Sequence, residues 1–175
     1  LGEKKQEKAQ RACSTAVYTA FVCGLLLAVF GIRNMDSLVR MLGATETIAP
    51  YAKDYGKYIL IAAPYMTVSF VFNNHLRAQG NAALSMFGIT TGGVLNVILD
   101  PVLIFHFEMG ISGAAIATIL SQFISFLILL FLVIRSGNVL KPCPQFFTMK
   151  GWVYREILSA GMPTLGRQGL ASVAS

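Results

Sequence analysis

Gly92-Gly93-Val94-Leu95-Asn96-Val97-Ile98-Leu99-Asp100-Pro101 sets an amide and a carboxylate among branched apolar residues and closes on a proline. Asp100 is the only Asp, Glu, Lys or Arg between Arg77 and Glu108. The apolar run around it extends from Ala82 to about His106, long enough at 1.5 Å per residue to cross a bilayer core of roughly 30 Å. An ionisable group at membrane depth costs at least a few kcal/mol and marks an ion or substrate pathway by default. The fold therefore turns on whether the rest of the chain is also built for a membrane.

It is. The 175 residues are 55% hydrophobic and only 13% charged, with a mean hydropathy of +0.63. Ordinary soluble domains are nearer a quarter charged. Next to the central run lies Ile111 to Ile134, with no charge at all, reached through the turn His106-Phe107-Glu108-Met109-Gly110. On the other side, Tyr58 to Asn74 is apolar around Pro64, with its helix expected to start near Thr47 under a Thr45 or Thr47 cap. At the front, Ala12 to Ile32 is uncharged between Arg11 and Arg33. The expected spans are 12–32, 50–76, 82–106 and 111–135. Residues 33–57 join the first two, with Leu38, Val39, Met41 and Leu42 as an interfacial turn and Tyr51, Tyr55 and Tyr58 in an aromatic belt. The fold class is all-α, a polytopic transmembrane helical bundle.

The net charge of +6 does not point to nucleic acid, because the basic residues sit in the joints. If residues 1–11 lie inside, the inner joints carry Lys4, Lys5, Lys8, Arg11, Arg77, Arg135, Lys141, Lys150 and Arg155. The outer joints carry Arg33, Arg40, Lys53 and Lys57. Nine against four is the positive-inside pattern. The chain opens at Leu1 in a charged segment and ends at Ser175 within an apolar run, which reads as a piece of a longer protein. Cys13, Cys23 and Cys143 have no paired spacing and serve as small packing residues. His75 reads as an interfacial surface residue.

Asn96 and Asp100 are four apart and share a helix face. Asp100 lies nine residues before Met109 and Thr118 nine after it, so both are expected roughly 13 Å below the turn. By the same count Asn96 is level with Gln122. These side chains offer several oxygens and one titratable carboxylate, the ligand set of a hard cation or a proton. Pro101 removes the helical donor of the Val97 carbonyl, a further oxygen. Pro64, Pro101 and Pro163 are candidate kinks or hinges. Gly88, Gly92, Gly93, Gly113, Ala114, Ala117 and Ser121 allow close helix contact. No nucleophile elbow, metal-ligand cluster or phosphate loop occurs, so an enzyme is not expected. No cofactor is expected beyond a coupling ion, and no metal beyond Na⁺ at the cation site.

Three segments carry a family resemblance: Leu76-Arg77-Ala78-Gln79-Gly80-Asn81, Leu95-Asn96-Val97-Ile98-Leu99-Asp100-Pro101, and Gly110-Ile111-Ser112-Gly113-Ala114-Ala115-Ile116-Ala117-Thr118. In order and spacing the chain resembles the multidrug and toxic compound extrusion (MATE) transporters. The resemblance implies a parent of twelve helices in two lobes, of which this chain holds helices three to six and the start of helix seven. Residues 1–135 then belong to the N-terminal lobe, 136–151 form a cytoplasmic linker and 152–175 begin the second lobe. Helices one and two and the rest of the second lobe are its missing partners. The resemblance implies export of amphipathic or cationic drugs in exchange for Na⁺ or H⁺, from a multi-pass protein of a bacterial plasma membrane in contact with the lipid bilayer. It places Asn96, Asp100 and Thr118 on three of four cation-site positions, the fourth being an Asp on helix one. Two other functions fit an apolar bundle. A lipid-linked oligosaccharide flippase of the same superfamily would need a cationic cavity, and only Arg167 lies within an apolar run. A passive channel or scaffold would show no ion coupling.

Overall fold

The computed structural model describes residues 2–135, 151, 153–155, 159 and 162, with side chains from residue 10 onward. Pro163, Arg167, Cys143 and all but the last residue of the expected 136–151 linker lie outside the described residues. Within them the chain is helical, with no strand: α1 is Gly2–Arg33, α2 Met35–Met41, α3 Ala49–Ala78, α4 Ala82–Pro101 and α5 Gly110–Arg135. A π-helical turn, Val102–His106, continues α4 past its proline. The stretches Gln10–Arg33, Ala82–His106 and Gly110–Arg135 are each long and apolar enough to cross a membrane. With α3 they build the helical bundle expected from composition.

The exception is α3, which covers the fourth apolar run but is too polar to qualify by the same measure. Its first turns carry Lys53, Asp54 and Lys57, and its last turns Asn73, Asn74 and His75. Part of that polarity faces other helices. Ser69 and Asn73 are buried, and the Asn73 amide donates to Ser85 of α4, 2.5 Å from its hydroxyl and 3.3 Å from its carbonyl.

The chain divides into two units, Ala20–Ser136 and Leu1–Thr19 with Gly137–Ser175. In the larger unit, α1 meets α3 at backbone distance. A Cβ on Gly24 would lie 2.7 Å from the Pro64 Cα and 2.9 Å from the Ala63 carbonyl oxygen. Pro64 has no N–H, which interrupts the helical ladder. The Thr67 hydroxyl lies 3.0 Å from the Ala63 carbonyl, 2.9 Å from that of Pro64 and 2.9 Å from that of Ala20 on α1. Its single proton is shared among three acceptors, which ties the turn that follows Pro64 to α1.

Residues 35–41 make a complete short helix, not merely an interfacial turn, with Met35 and Val39 buried and Gly43 ending it at φ 79°. No Thr side chain caps α3. The N-cap is Ile48, without a side-chain bond, and Pro50 occupies the first turn, where a missing N–H costs nothing. The Thr45 carbonyl takes the Ile48 and Ala49 amides at 3.0 and 2.8 Å. The backbone thus does what the hydroxyl was expected to do.

Along α5 the buried positions include Gly113, Ala117, Ser121, Ser125, Leu129 and Val133. They recur every four residues and form one ridge, small at one end and bulky at the other. Gly88 and Gly92 of α4 receive it: a Cβ on Gly92 would fall 2.8 Å from the Ser125 Cβ, and one on Gly88 2.5 Å from the Leu129 side chain. Gly93 is different. It has open space around it, because one residue turns the helix by about 100°. In the smaller unit Ser14, Thr15 and Val153 are buried, and Thr19 and Tyr154 share a hydrogen bond of 3.3 Å.

Candidate functional site

The side chains of α4 and α5 that meet at membrane depth are held by backbone geometry on both sides. Two turns toward the start of α4 from Asn96, the Ser125 hydroxyl donates to the Gly88 carbonyl at 2.7 Å. On the other flank of α5, the Tyr65 hydroxyl donates to the Ile119 carbonyl at 2.8 Å. Its ring lies edge-on to Phe123 with centroids 5.5 Å apart, and Phe126 continues the cluster to Phe72 at 6.0 Å. Ile119 follows Thr118 directly, so Tyr65 fixes the height of the residue that enters the site. Nothing in the order of residues pointed to Tyr65, one of three hydroxyl side chains between Pro64 and Phe70.

Asn96 is the centre of the site. Its amide nitrogen donates to Asp100 Oδ1 at 3.3 Å and to Thr118 Oγ1 at 3.4 Å. The Thr118 hydroxyl in turn donates to the Ala114 carbonyl of its own helix at 2.9 Å. All three residues are half-buried. Among the described residues no Lys or Arg pairs with Asp100, and no three His, Cys, Asp or Glu side chains converge on it.

The turn is centred slightly before the position expected from sequence. Thr118 bonds Asn96 and not Asp100. The Gly88–Ser125 and Asn96–Thr118 hydrogen bonds are centred close to residue 107 and the Gly92–Ser125 and Gly88–Leu129 approaches between 108 and 109, whereas the count from sequence placed the turn at Met109. The π-helical turn explains the difference. Phe107 donates back to Val102 at 3.1 Å and Met109 to Leu103 at 3.2 Å, so the chain reverses within a wide loop. Glu108 and Gly110 stand at φ 54° and 55°. Gly113 closes that loop, for a Cβ there would lie 2.7 Å from the Leu103 carbonyl oxygen. No hydrogen bond joins Gln122 to Asn96, Asp100 or Thr118 among the described residues.

The chemistry available is that of oxygen. Asp100 offers a carboxylate with one oxygen held by Asn96. Thr118 keeps a lone pair after donating to Ala114 and accepting from Asn96. The Val97 carbonyl lacks its helical donor because residue 101 is proline. Such a set suits a hard monovalent cation or a proton.

The MatE family model matches residues 1–102. Over 163 residues the chain is 29% identical to the multidrug export protein MepA of Staphylococcus haemolyticus, covering 93% of this chain and 36% of that protein. It is 26% identical to MepA of Staphylococcus saprophyticus with the same coverage. The chain thus spans 36% of the length of these curated relatives. Among solved structures it is similar to an outward-facing multidrug resistance MATE family transporter of the MOP superfamily. That match has 26% identity and a TM-score of 0.88, over 99% of this chain and 39% of the other. An inward-facing transporter of the same description shares the fold at a TM-score of 0.75 and 22% identity, over 90% and 42% of the two chains.

Proposed function

The chain belongs to the MatE family, and on that premise we propose that it is the first-lobe portion of a cation-coupled multidrug efflux antiporter. The parent has twelve helices in two lobes, resides in a bacterial plasma membrane, and exports amphipathic or cationic drugs against an inward flow of Na⁺ or H⁺. It is a transporter, not an enzyme. Helices one and two and the second lobe complete it.

The observation that carries this reading is the Asn96 bridge between Asp100 and Thr118. Both contacts are long for hydrogen bonds, so they are given up at small cost. Rotating the Asn96 amide by half a turn would present its oxygen instead of its nitrogen. The same three side chains would then surround a cation with oxygens, joined by the Val97 carbonyl. Protonation of Asp100 competes for the same carboxylate, and a ligand that binds one conformation more tightly shifts the population toward it. Coupling needs no more than that difference. The flippase alternative gains no support here, since no Lys or Arg lies between Ala82 and Ile134.

The test is ethidium efflux from vesicles containing the full-length protein, with Na⁺ and pH gradients imposed separately. Asp100→Asn is expected to abolish gradient-driven efflux. Efflux that is independent of both gradients in the wild type would favour a passive channel and refute the proposal.

A further inference from the structure

Helix α1 changes partners along its length. From Ala20 onward it is tied to α3, through the Ala20 carbonyl and Gly24. Before that point it belongs with the segment that follows the linker. Thr15 and Thr19, four apart, lie on one face; Thr15 is buried, and Thr19 shares a 3.3 Å hydrogen bond with Tyr154. Val153, next to Tyr154, is fully buried. The basic residues of both segments, Arg11 on one and Arg155 on the other, put this meeting on the cytoplasmic side by the positive-inside pattern.

In the two-lobe transporter proposed above, on which this inference rests, α1 is in one lobe and Tyr154 begins the other. We propose that the Thr19–Tyr154 contact is a latch, a hydrogen bond across the lobes that forms when the cytoplasmic side is shut and breaks when it opens. The chemistry suits a switch. The two hydroxyls can exchange donor and acceptor roles, neither carries charge, and each can bond its own surroundings once released. A hydrogen bond of this kind biases an equilibrium by roughly two- to tenfold, enough to tip two states without trapping either.

The test uses the full-length protein with Cys13, Cys23 and Cys143 replaced by serine and with Thr19→Cys and Tyr154→Cys introduced. A tyrosine ring separates the two backbones by more than a single disulfide spans, so a short bifunctional methanethiosulfonate bridges the two thiols, and dithiothreitol releases it. Cross-linking is expected to proceed, to halt ethidium efflux, and to be reversed by dithiothreitol. Its rate should change severalfold when Na⁺, pH or ethidium is varied. No cross-link, or a cross-link at one rate under every condition, would overturn the latch. So would a cross-linked protein that transports normally. The rate dependence is read without transport, so loss of efflux in the parent would count against the antiporter reading and leave the latch separately tested. As a second readout, Tyr154→Phe and Thr19→Val are each expected to shift the equilibrium two- to tenfold toward the inward-open state, and the double variant no further. Additive shifts would contradict a shared bond.

Discussion

Replacing Gly92 with alanine is expected to disturb the site one turn away, while the same change at Gly93 does not. The Gly92 Cβ would lie 2.8 Å from the Ser125 Cβ and 3.1 Å from its Oγ, whereas nothing lies within 4 Å at Gly93. Ordinary contact begins near 3.4 Å, so α4 and α5 must separate locally by about 0.6 Å, the difference between 3.4 and 2.8 Å. Overpacking of this kind costs about 1–3 kcal/mol. Weakening the Ser125–Gly88 hydrogen bond adds about 1 kcal/mol. At Gly93 only the helix-propensity gain of alanine applies, roughly 1 kcal/mol in the stabilising direction. The propensity gain applies at both positions and cancels, so the neighbouring variants should differ by about 2–4 kcal/mol. The Asn96–Thr118 contact, at 3.4 Å, has no slack for such a separation. The measurement is reversible unfolding of the full-length protein in mixed micelles, paired with its stabilisation by added Na⁺ or by acid. Gly92→Ala should lower stability and weaken the ion response; Gly93→Ala should do neither. Equal behaviour of the two variants would refute both the register and the claim that it builds the site.

Two further outcomes follow from contacts outside the cation site. Tyr65→Phe removes the hydroxyl bonded to Ile119 and keeps the ring cluster, so unfolding should show a loss of about 0.5–1.5 kcal/mol; no change would remove Tyr65 from the positioning of α5. At the α2–α3 joint the Lys53 ammonium, by hydrogen bond and then by charge, holds the Asp36 carboxyl below its ordinary value. Its folded value lies below its unfolded one, so the contribution is present above the ordinary carboxylate value of about 3.9 and is lost as pH falls through the folded value. NMR titration of the Asp36 carboxyl should show its midpoint rising in Lys53→Met, and an unmoved midpoint would contradict the pairing.

Much of this architecture is legible in the residues. Uncharged runs bounded by basic joints give the helices, since α1, α4 and α5 need only length and hydropathy. The four-residue spacing of Asn96 and Asp100 puts them on one face, and they do meet. What fails is the finer geometry that depends on the loop. Counting from Met109 pairs Thr118 with Asp100 rather than with Asn96, because a π-helical turn after Pro101 and a left-handed Glu108 have no signature in hydropathy. Gln122, reached by the same count, makes no hydrogen bond to Asn96, Asp100 or Thr118 among the described residues. Gly93 and Gly92 are alike in sequence and differ only in azimuth. The Thr67 bond to Ala20 and the Tyr65 bond to Ile119 are tertiary, so no local pattern announces them.

The central claim is that the Asp100 carboxylate exchanges a cation for drug. Proteoliposomes holding the full-length protein are loaded with ethidium, and entry of ²²Na⁺ or internal acidification is recorded as the drug leaves. The account predicts drug-dependent entry of one of these ions in the wild type and none in Asp100→Asn. Ion entry that is unchanged in Asp100→Asn would contradict it.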